Sequence, residues 1–444
     1  MTLHSPRVLS RRHLIALSGG VAATAGLAAC GAGSTTATSP GTAGTAGTTG
    51  GAGGTLSIVV EAGGKGELTP IAEAFQTERG VTVSFIELPY DGLFERVQSE
   101  LSSGSPSFDL AALDAVWLST FAGALTPLDD LFTAEVQDDL FPALLEEAQV
   151  QGHFVGMPAW TNAEILFYRT DLFEDEANKT AFQAEYGYEL TPPATWDQFT
   201  DVARFFTRDG LYGTDVKGAV ETEWLAHVLQ AGSDGVVLDA DGAVIIDNQA
   251  HADALAFYAN LATEYNVCPP GAAQVDWAGA QNLFHQGQTA MMRFWAHAFP
   301  MIPDDATVKG SVGVAPMIAG SAGIAGIPGP WYLSVPTASP QSELALEFVQ
   351  FAYDNNVLSV ESELGLAARK SAFAEYADRE GYEHFEALLT TLEAPATAPR
   401  PATPRWQQIT DSVLIPTLQK AVVPGADYTA LLTQAKADVE RIVG

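Results

Sequence analysis

From Leu56 onward the chain alternates strand and helix in a pattern that admits few folds. Leu56-Ser57-Ile58-Val59-Val60 is a short apolar run and predicts a buried strand. A glycine-rich turn, Glu61 to Glu67, follows it. Leu68 to Arg79 then places Leu68, Ile71, Ala72 and Phe75 at helical spacing, and Gly80 stops the helix. Val81 to Ile86 alternates as a second strand, Leu93 to Leu101 is amphipathic, and Phe108 to Leu113 reads as a third, buried strand. A βαβαβ opening predicts a parallel sheet, and such sheets bind ligands at the carboxyl ends of their strands. Those ends are the turns Glu61–Glu67 and Asp114–Trp117.

The remainder is richer in helix. Trp196 to Thr207, Glu223 to Ala231, Ala250 to Tyr265 and Trp277 to Phe284 carry helical apolar spacing. Ala290–Phe294, Ser311–Pro316 and Trp331–Pro336 form a second set of strands, and Glu343–Tyr353 and Tyr428–Val443 are helices. Ala394 to Pro404 is a loop rich in proline and alanine. No repeat of the length seen in solenoids occurs. After residue 54 no apolar run is long enough to predict a membrane-spanning helix.

The N-terminus is of another kind. Arg11-Arg12 precedes a short apolar stretch, Leu14 to Leu27, which ends in Leu27-Ala28-Ala29-Cys30. A basic start, a short apolar core and small residues before the break make an export signal. The tetrapeptide resembles a bacterial lipobox, which implies that Cys30 is lipidated and becomes the first residue. Ser10 to Ile15 resembles a twin-arginine signal. Gly31 to Gly54 holds only Gly, Ala, Ser, Thr and one Pro, so it cannot bury enough surface to fold. As a flexible coil it reaches roughly 25–30 Å.

Charge excludes whole classes of partner. Removing residues 1–29 takes three arginines and no acid from a formal charge of −33, leaving −36. Nucleic acids and anionic lipids require basic patches, so neither is expected as a partner of the body. Cys268 is the only cysteine besides Cys30, which leaves no internal disulfide in the mature body. Beside Pro269-Pro270 it is expected to be a buried, small apolar residue.

Several motifs, in order, carry a resemblance. They are Leu125–Asp129, Gly152–Pro158, Leu166–Phe173, Pro192–Phe199, Phe284–Met291 and Leu344–Phe351. Behind a lipobox this series resembles the extracellular solute-binding proteins of ABC importers, carbohydrate-binding branch (family 1). The resemblance implies an α/β, two-lobe, periplasmic-binding-protein-like fold of type II, with a cleft between hinged lobes. Lobe 1 would comprise residues 55–160 and 328–358, lobe 2 residues 161–327 and 359–444. The crossovers would lie near Met157–Ala163, Ile327–Leu333 and Leu358–Gly365. The implied function is capture of a sugar or oligosaccharide for an ABC permease, by a protein held outside the cell membrane through the lipid on Cys30. No cofactor, metal or catalysis is implied. One segment also has a local reading: Thr195 before Trp196, with Gln198 three on, is a helix N-cap.

A sugar presents hydroxyls at its rim and C–H groups on its faces, which aromatic rings and planar polar groups recognise. The eight tryptophans are therefore the first candidates. Trp196 belongs to the helix-start motif and is set aside. Trp295 ends Met291-Met292-Arg293-Phe294-Trp295, where the family often has Gly and then a Trp two residues on; this chain has His297 there. Trp331 follows Gly329-Pro330. These two are expected as stacking platforms on opposite sides of the cleft, with core packing as the alternative. Trp160 faces cleft or core, and Trp277 and Trp406 are weaker candidates. Glu61 and Lys65 lie in the first strand-end turn, and Gly63-Gly64-Lys65-Gly66 lacks the spacing of a phosphate loop. Asp114 either receives ligand hydroxyls or caps the following helix. Asn162 occupies a position where family members place a polar ligand contact. Glu221 is a candidate contact, but Glu221 and Glu223 also read as solvated first-turn acids. Arg369-Lys370 stands where the family has a Pro-Arg-like pair.

Two other classes compete. A glycoside-active enzyme needs only two carboxylates at the right separation, and the chain has 54 acids. No Gly-x-Ser-x-Gly elbow, His-Glu-x-x-His pair or Ser-x-x-Lys motif occurs. A binder of polyols, oligopeptides or phosphorylated polyols would share the fold.

Overall fold

The computed structural model describes residues 54–362 and 364–444. The leader at 1–29, Cys30 and the linker up to residue 53 lie outside the described residues.

The βαβαβ opening forms as expected. Strand β1 (Thr55–Glu61), helix α1 (Lys65–Arg79), strand β2 (Thr82–Leu88), helix α2 (Tyr90–Ser103), strand β3 (Leu110–Asp114) and helix α3 (Ala115–Phe121) follow one another. β1 lies between β2 and β3 and is parallel to both. Leu56, Ile58, Val59, Val60 and Leu110 to Leu113 are fully buried, which explains their continuous apolar character. The strands Met157–Trp160 and Trp331–Ser334 complete the sheet in the order β2, β1, β3, 331–334, 157–160. The 331–334 strand runs antiparallel to both neighbours.

α1 starts three residues before its apolar periodicity does. The extra turn contains Glu67, a buried carboxylate that accepts from the backbone N–H groups of Leu364 and Leu366 at 3.2 and 3.1 Å. A turn anchored by a carboxylate has no apolar signature. Gly80 ends the helix in the left-handed region, at φ 71°.

A second sheet centres on the strand Glu164–Arg169, flanked antiparallel by Met291–Trp295 and Val312–Ala315. Helices 196–206, 222–230 and 249–263 are among those that belong with it. Thr195 caps the first, accepting from the N–H of Gln198 at 3.3 Å, while Gln198 accepts from the N–H of Ala194 at 2.9 Å. Trp196 is structural: it donates to Gln230 Oε1 at 2.7 Å and stacks on Phe257.

The core of this lobe contains charge. Lys217 Nζ donates to Asp215, Glu223 and the Arg293 carbonyl at 2.8, 2.8 and 2.7 Å. Arg293 Nε pairs with the other oxygen of Glu223. This corrects the expectation of solvated acids at the 222–230 helix: Glu223 is 0% and Glu221 8% exposed. Burial raises the pKa of Glu223, but Arg293 and Lys217 outweigh it and hold the carboxyl below its usual range. Cys268 is buried and unpaired by disulfide, as expected.

The chain passes from the first sheet to the second between Trp160 and Glu164 and returns before Trp331. Residues 359–376 stay with the first lobe: Ser359 donates to the Glu67 carbonyl at 2.9 Å, and Ser371 to Asp139 at 2.6 Å. The helix His384–Leu392 packs on the second sheet instead. That crossing therefore falls after residue 376, not at 358–365. Among the described residues no helix is long and apolar enough to cross a membrane.

Candidate functional site

One edge of the first sheet gathers four expected residues. β1 ends at Glu61, β3 at Asp114 and the next parallel strand at Trp160. The antiparallel strand begins at Trp331, which lies in register with Asp114 on one side and Trp160 on the other. Strand-end placement thus brings these side chains to one edge, as the topology rule predicts. Gly64 makes room there, since a Cβ at that position would meet the Trp160 ring at 3.1 Å. The rings of Trp160 and Trp331 stack with centroids 5.7 Å apart, and Tyr90 and Trp117 meet Trp331 edge-on.

The opposite wall belongs to the second lobe. Trp295 ends its strand and lies 5.4 Å from Trp277, the first residue of the helix Trp277–His285. Gly329 leaves room for the Trp295 ring: a Cβ there would lie 2.9 Å from it. Between the walls lie two adjoining chambers of about 440 and 460 Å³. Both are lined by Glu61, Asp114, Trp295, Trp331 and Arg400. Trp160 and Asn162 belong to the first chamber, Trp277, Trp406 and Glu221 to the second. Each volume suits a small organic ligand.

The tryptophans differ in exposure. Trp331 is 9%, and Trp160 and Trp406 are 3% exposed, whereas Trp295 and Trp277 are half-buried. The freer ring faces are on the second lobe.

Asp114 holds three partners. Its Oδ1 caps α3 by accepting from the N–H of Val116 at 3.2 Å and accepts from Arg400 Nη2 at 2.9 Å. Its Oδ2 accepts from Tyr90 Oη at 2.9 Å. Of the two roles the sequence offers Asp114, the helix cap is present, and the same side chain also lines the cleft. Arg400 lies in the proline- and alanine-rich loop, which sequence reading left without a role. Burial opposes its charge, but Asp114 and Glu147 favour it, and the guanidinium pKa is raised. Burial, and next the Asp114 charge, push the Glu61 carboxyl up to about 7. Burial also raises Glu221.

Asn162 sits at the hinge with its amide engaged. Its Oδ1 accepts from the N–H groups of Ala163 and Ala296 at 3.0 and 3.1 Å, and its Nδ2 lies 2.6 Å from His297 Nδ1. Its carbonyl accepts from Gly329 N–H at 2.8 Å.

Two expected residues lie elsewhere. Lys65 is a surface residue paired with Glu87 at 3.6 Å, because α1 begins at Lys65 and directs it along the helix. Arg369 is bound to Asp139 at 2.7 Å and to the carbonyls of Tyr353 and Asp354, where it ties residues of the first lobe together. Neither lines the two chambers. Tyr90, His297 and Arg400 line them without having been candidates. Of these only His297 had a signal in the sequence, as the departure from the aromatic pattern after Trp295. Among the described residues no group of three His, Cys, Asp or Glu is placed to hold a metal ion.

Two α/β lobes joined by crossover strands, with a cleft walled by tryptophans and carboxylates, define a two-lobe ligand-binding protein of type II. The chain belongs to the bacterial extracellular solute-binding proteins, whose family model matches residues 61–357. A probable ABC transporter-binding protein of Deinococcus radiodurans is 25% identical over 316 residues, 67% of this chain and 71% of that protein. A mannitol-binding protein of Pseudomonas aeruginosa is 24% identical over 297 residues, 61% of this chain and 62% of its own. The maltose-bound MalE3 of T. maritima has the same fold, with a TM-score of 0.72 at 23% identity over 87% of this chain and 99% of that one.

Proposed function

We propose that this protein captures a neutral polyhydroxy solute, a sugar or a polyol, outside the cell and delivers it to an ABC import permease. A lipid on Cys30 and the Gly-, Ala- and Thr-rich segment behind it tether the body to the membrane. The observation that carries the reading is the cleft itself. Half-buried Trp295 and Trp277 offer ring faces to C–H surfaces, and the Glu61 and Asp114 carboxylates opposite them suit hydroxyls. Among the described residues, Arg400 is the only arginine that lines the two chambers, and it is paired with Asp114, so no unpaired guanidinium awaits an anionic ligand.

The binding reading is preferred to glycoside cleavage. Asp114 is held by an arginine, a tyrosine and a helix N-terminus, an arrangement that fixes its side chain in place rather than leaving it free to attack or shuttle a proton.

The test is a thermal-shift panel of maltose, maltotriose, D-mannitol and ribitol, followed by calorimetry. A ligand at a hundredfold its dissociation constant stabilises by about 2.7 kcal/mol. No shift with any sugar or polyol, or release of cleaved product, would sink the reading. Replacing Cys30 by Ala should move the protein out of the membrane fraction and abolish any acyl mass on the mature chain.

A further inference from the structure

His297 lines the first chamber of the cleft beside Trp295, in the position where a tryptophan was expected from the family pattern. Its ring orientation and tautomer follow from the hinge. The amide oxygen of Asn162 is identified by the two backbone N–H groups that point at it, from Ala163 and Ala296. The amide nitrogen is therefore the group 2.6 Å from His297 Nδ1, and it donates. Nδ1 must then be the bare, accepting nitrogen, which leaves the proton on Nε2. Among the described residues Nε2 has no partner, and it is not among the sealed, unpaired polar atoms. The imidazole thus has one free polar group, a donor, and it belongs to a residue of the cavity wall.

We propose that His297 is a specificity-determining ligand contact, offering Nε2–H to an acceptor oxygen of the bound solute, with Asn162 as the residue that positions it. The inference rests on the polyhydroxy-solute reading above and sharpens it. A tryptophan there offers a flat face to C–H groups. A histidine in this tautomer instead requires a hydroxyl, ring or glycosidic oxygen at that point. Burial pushes the His297 pKa down to about 4, so the ring stays neutral and keeps its tautomer across ordinary conditions. The donation from Asn162 acts in the same direction, since a protonated ring has no acceptor to offer it. Asn162 also accepts from Gly329 N–H, so the ring is referenced to both crossovers at the hinge.

The experiment compares wild type with His297→Phe, which keeps a ring without a donor, and His297→Gln, which restores an amide donor. Each is titrated calorimetrically with maltose, maltotriose, D-mannitol and ribitol, and a melting curve is recorded for each. For the probe that binds wild type best, His297→Phe should weaken binding about tenfold, the effect of one unpaired ligand acceptor, and His297→Gln only about two- to threefold. A merely structural histidine would lower the melting temperature in both variants and leave the affinity of the folded protein unchanged, which overturns the proposal. Imidazole nitrogen shifts of labelled wild type give a second readout. Protonation on Nε2, with a shift of that proton on adding the binding probe, is expected; protonation on Nδ1 overturns it. If no probe binds wild type, the polyhydroxy reading falls and the His297 role with it. Binding to wild type with equal binding to His297→Phe removes the His297 role alone.

Discussion

Arg400 reaches across the cleft to Asp114: its Nη2 lies 2.9 Å from Asp114 Oδ1, and 286 residues of chain separate the two. Asp114 ends a strand of the first lobe. Arg400 follows the helix that packs on the second sheet, in a loop held to that lobe through Thr397, which accepts from Gly326 N–H at 3.0 Å. The pair therefore joins the lobes at the floor of the ligand chambers.

Breaking this pair should cost more than removing it. Both side chains are about nine-tenths buried, so Arg400→Gln strands a buried carboxylate and should lower stability by about 3–5 kcal/mol. The double variant Asp114→Asn, Arg400→Gln should be less destabilised than Arg400→Gln alone. Denaturant unfolding of the four proteins measures the coupling, and simple additivity would refute it. Solution scattering should also show a larger radius of gyration for Arg400→Gln.

Glu61 should make stability fall as pH rises. Its folded pKa of about 7 lies above the ordinary value of 4.5. The folded state therefore holds its proton where the unfolded state has released it. Its contribution is fully present below about pH 4.5 and is lost as pH climbs through 7. Melting temperatures of wild type and Glu61→Gln should converge at low pH, with the variant melting higher above neutrality. Parallel curves from pH 4 to 8 would contradict the shift.

The tryptophans should separate into binding and core. Trp295→Ala should weaken ligand binding by about 2–4 kcal/mol, as for an aromatic anchor, with a modest change in melting. Trp331→Ala removes a ring that is 9% exposed and stacked on Trp160, so it should cost about 3–5 kcal/mol of stability. Calorimetry paired with melting on both variants decides this. The opposite pattern would make Trp331 the platform.

Lys217→Met should be severely destabilising, by about 3–5 kcal/mol, because it leaves Asp215 and Glu223 facing each other in a sealed core. Urea unfolding measures it. A cost below about 1 kcal/mol, the range of an exposed pair, would mean that the cluster is hydrated.

Much of the fold was legible because its signals are local. The apolar runs at Leu56–Val60 and Phe108–Leu113, the stop at Gly80 and the Thr195 cap each depend on neighbours a few residues away. Strand-end placement follows from topology, and it puts Glu61 and Asp114 at one edge; for Trp160 the sequence leaves cleft and core open. Trp295 and Trp331, singled out by the order of family-like motifs, both line the chambers, although Trp331 is mostly packed against its neighbours.

What the sequence alone determined, then, is the parallel β1–β3 opening of the first sheet and the edge at which its ligand chemistry gathers. Tertiary structure decided which charges are sealed and which side chains meet. Glu223 looked like a solvated helix-start acid, yet it is buried because Lys217 and Arg293, distant in sequence, neutralise it. Lys65 looked like a cleft residue, but α1 begins at Lys65 itself, in a turn anchored by the buried Glu67, and carries it to the surface. Arg400 sat in a loop without periodicity and became the cation of the site. Periodicity and capping report interactions within one element; ion pairs and cleft walls form between elements, where only the folded chain sets the distance.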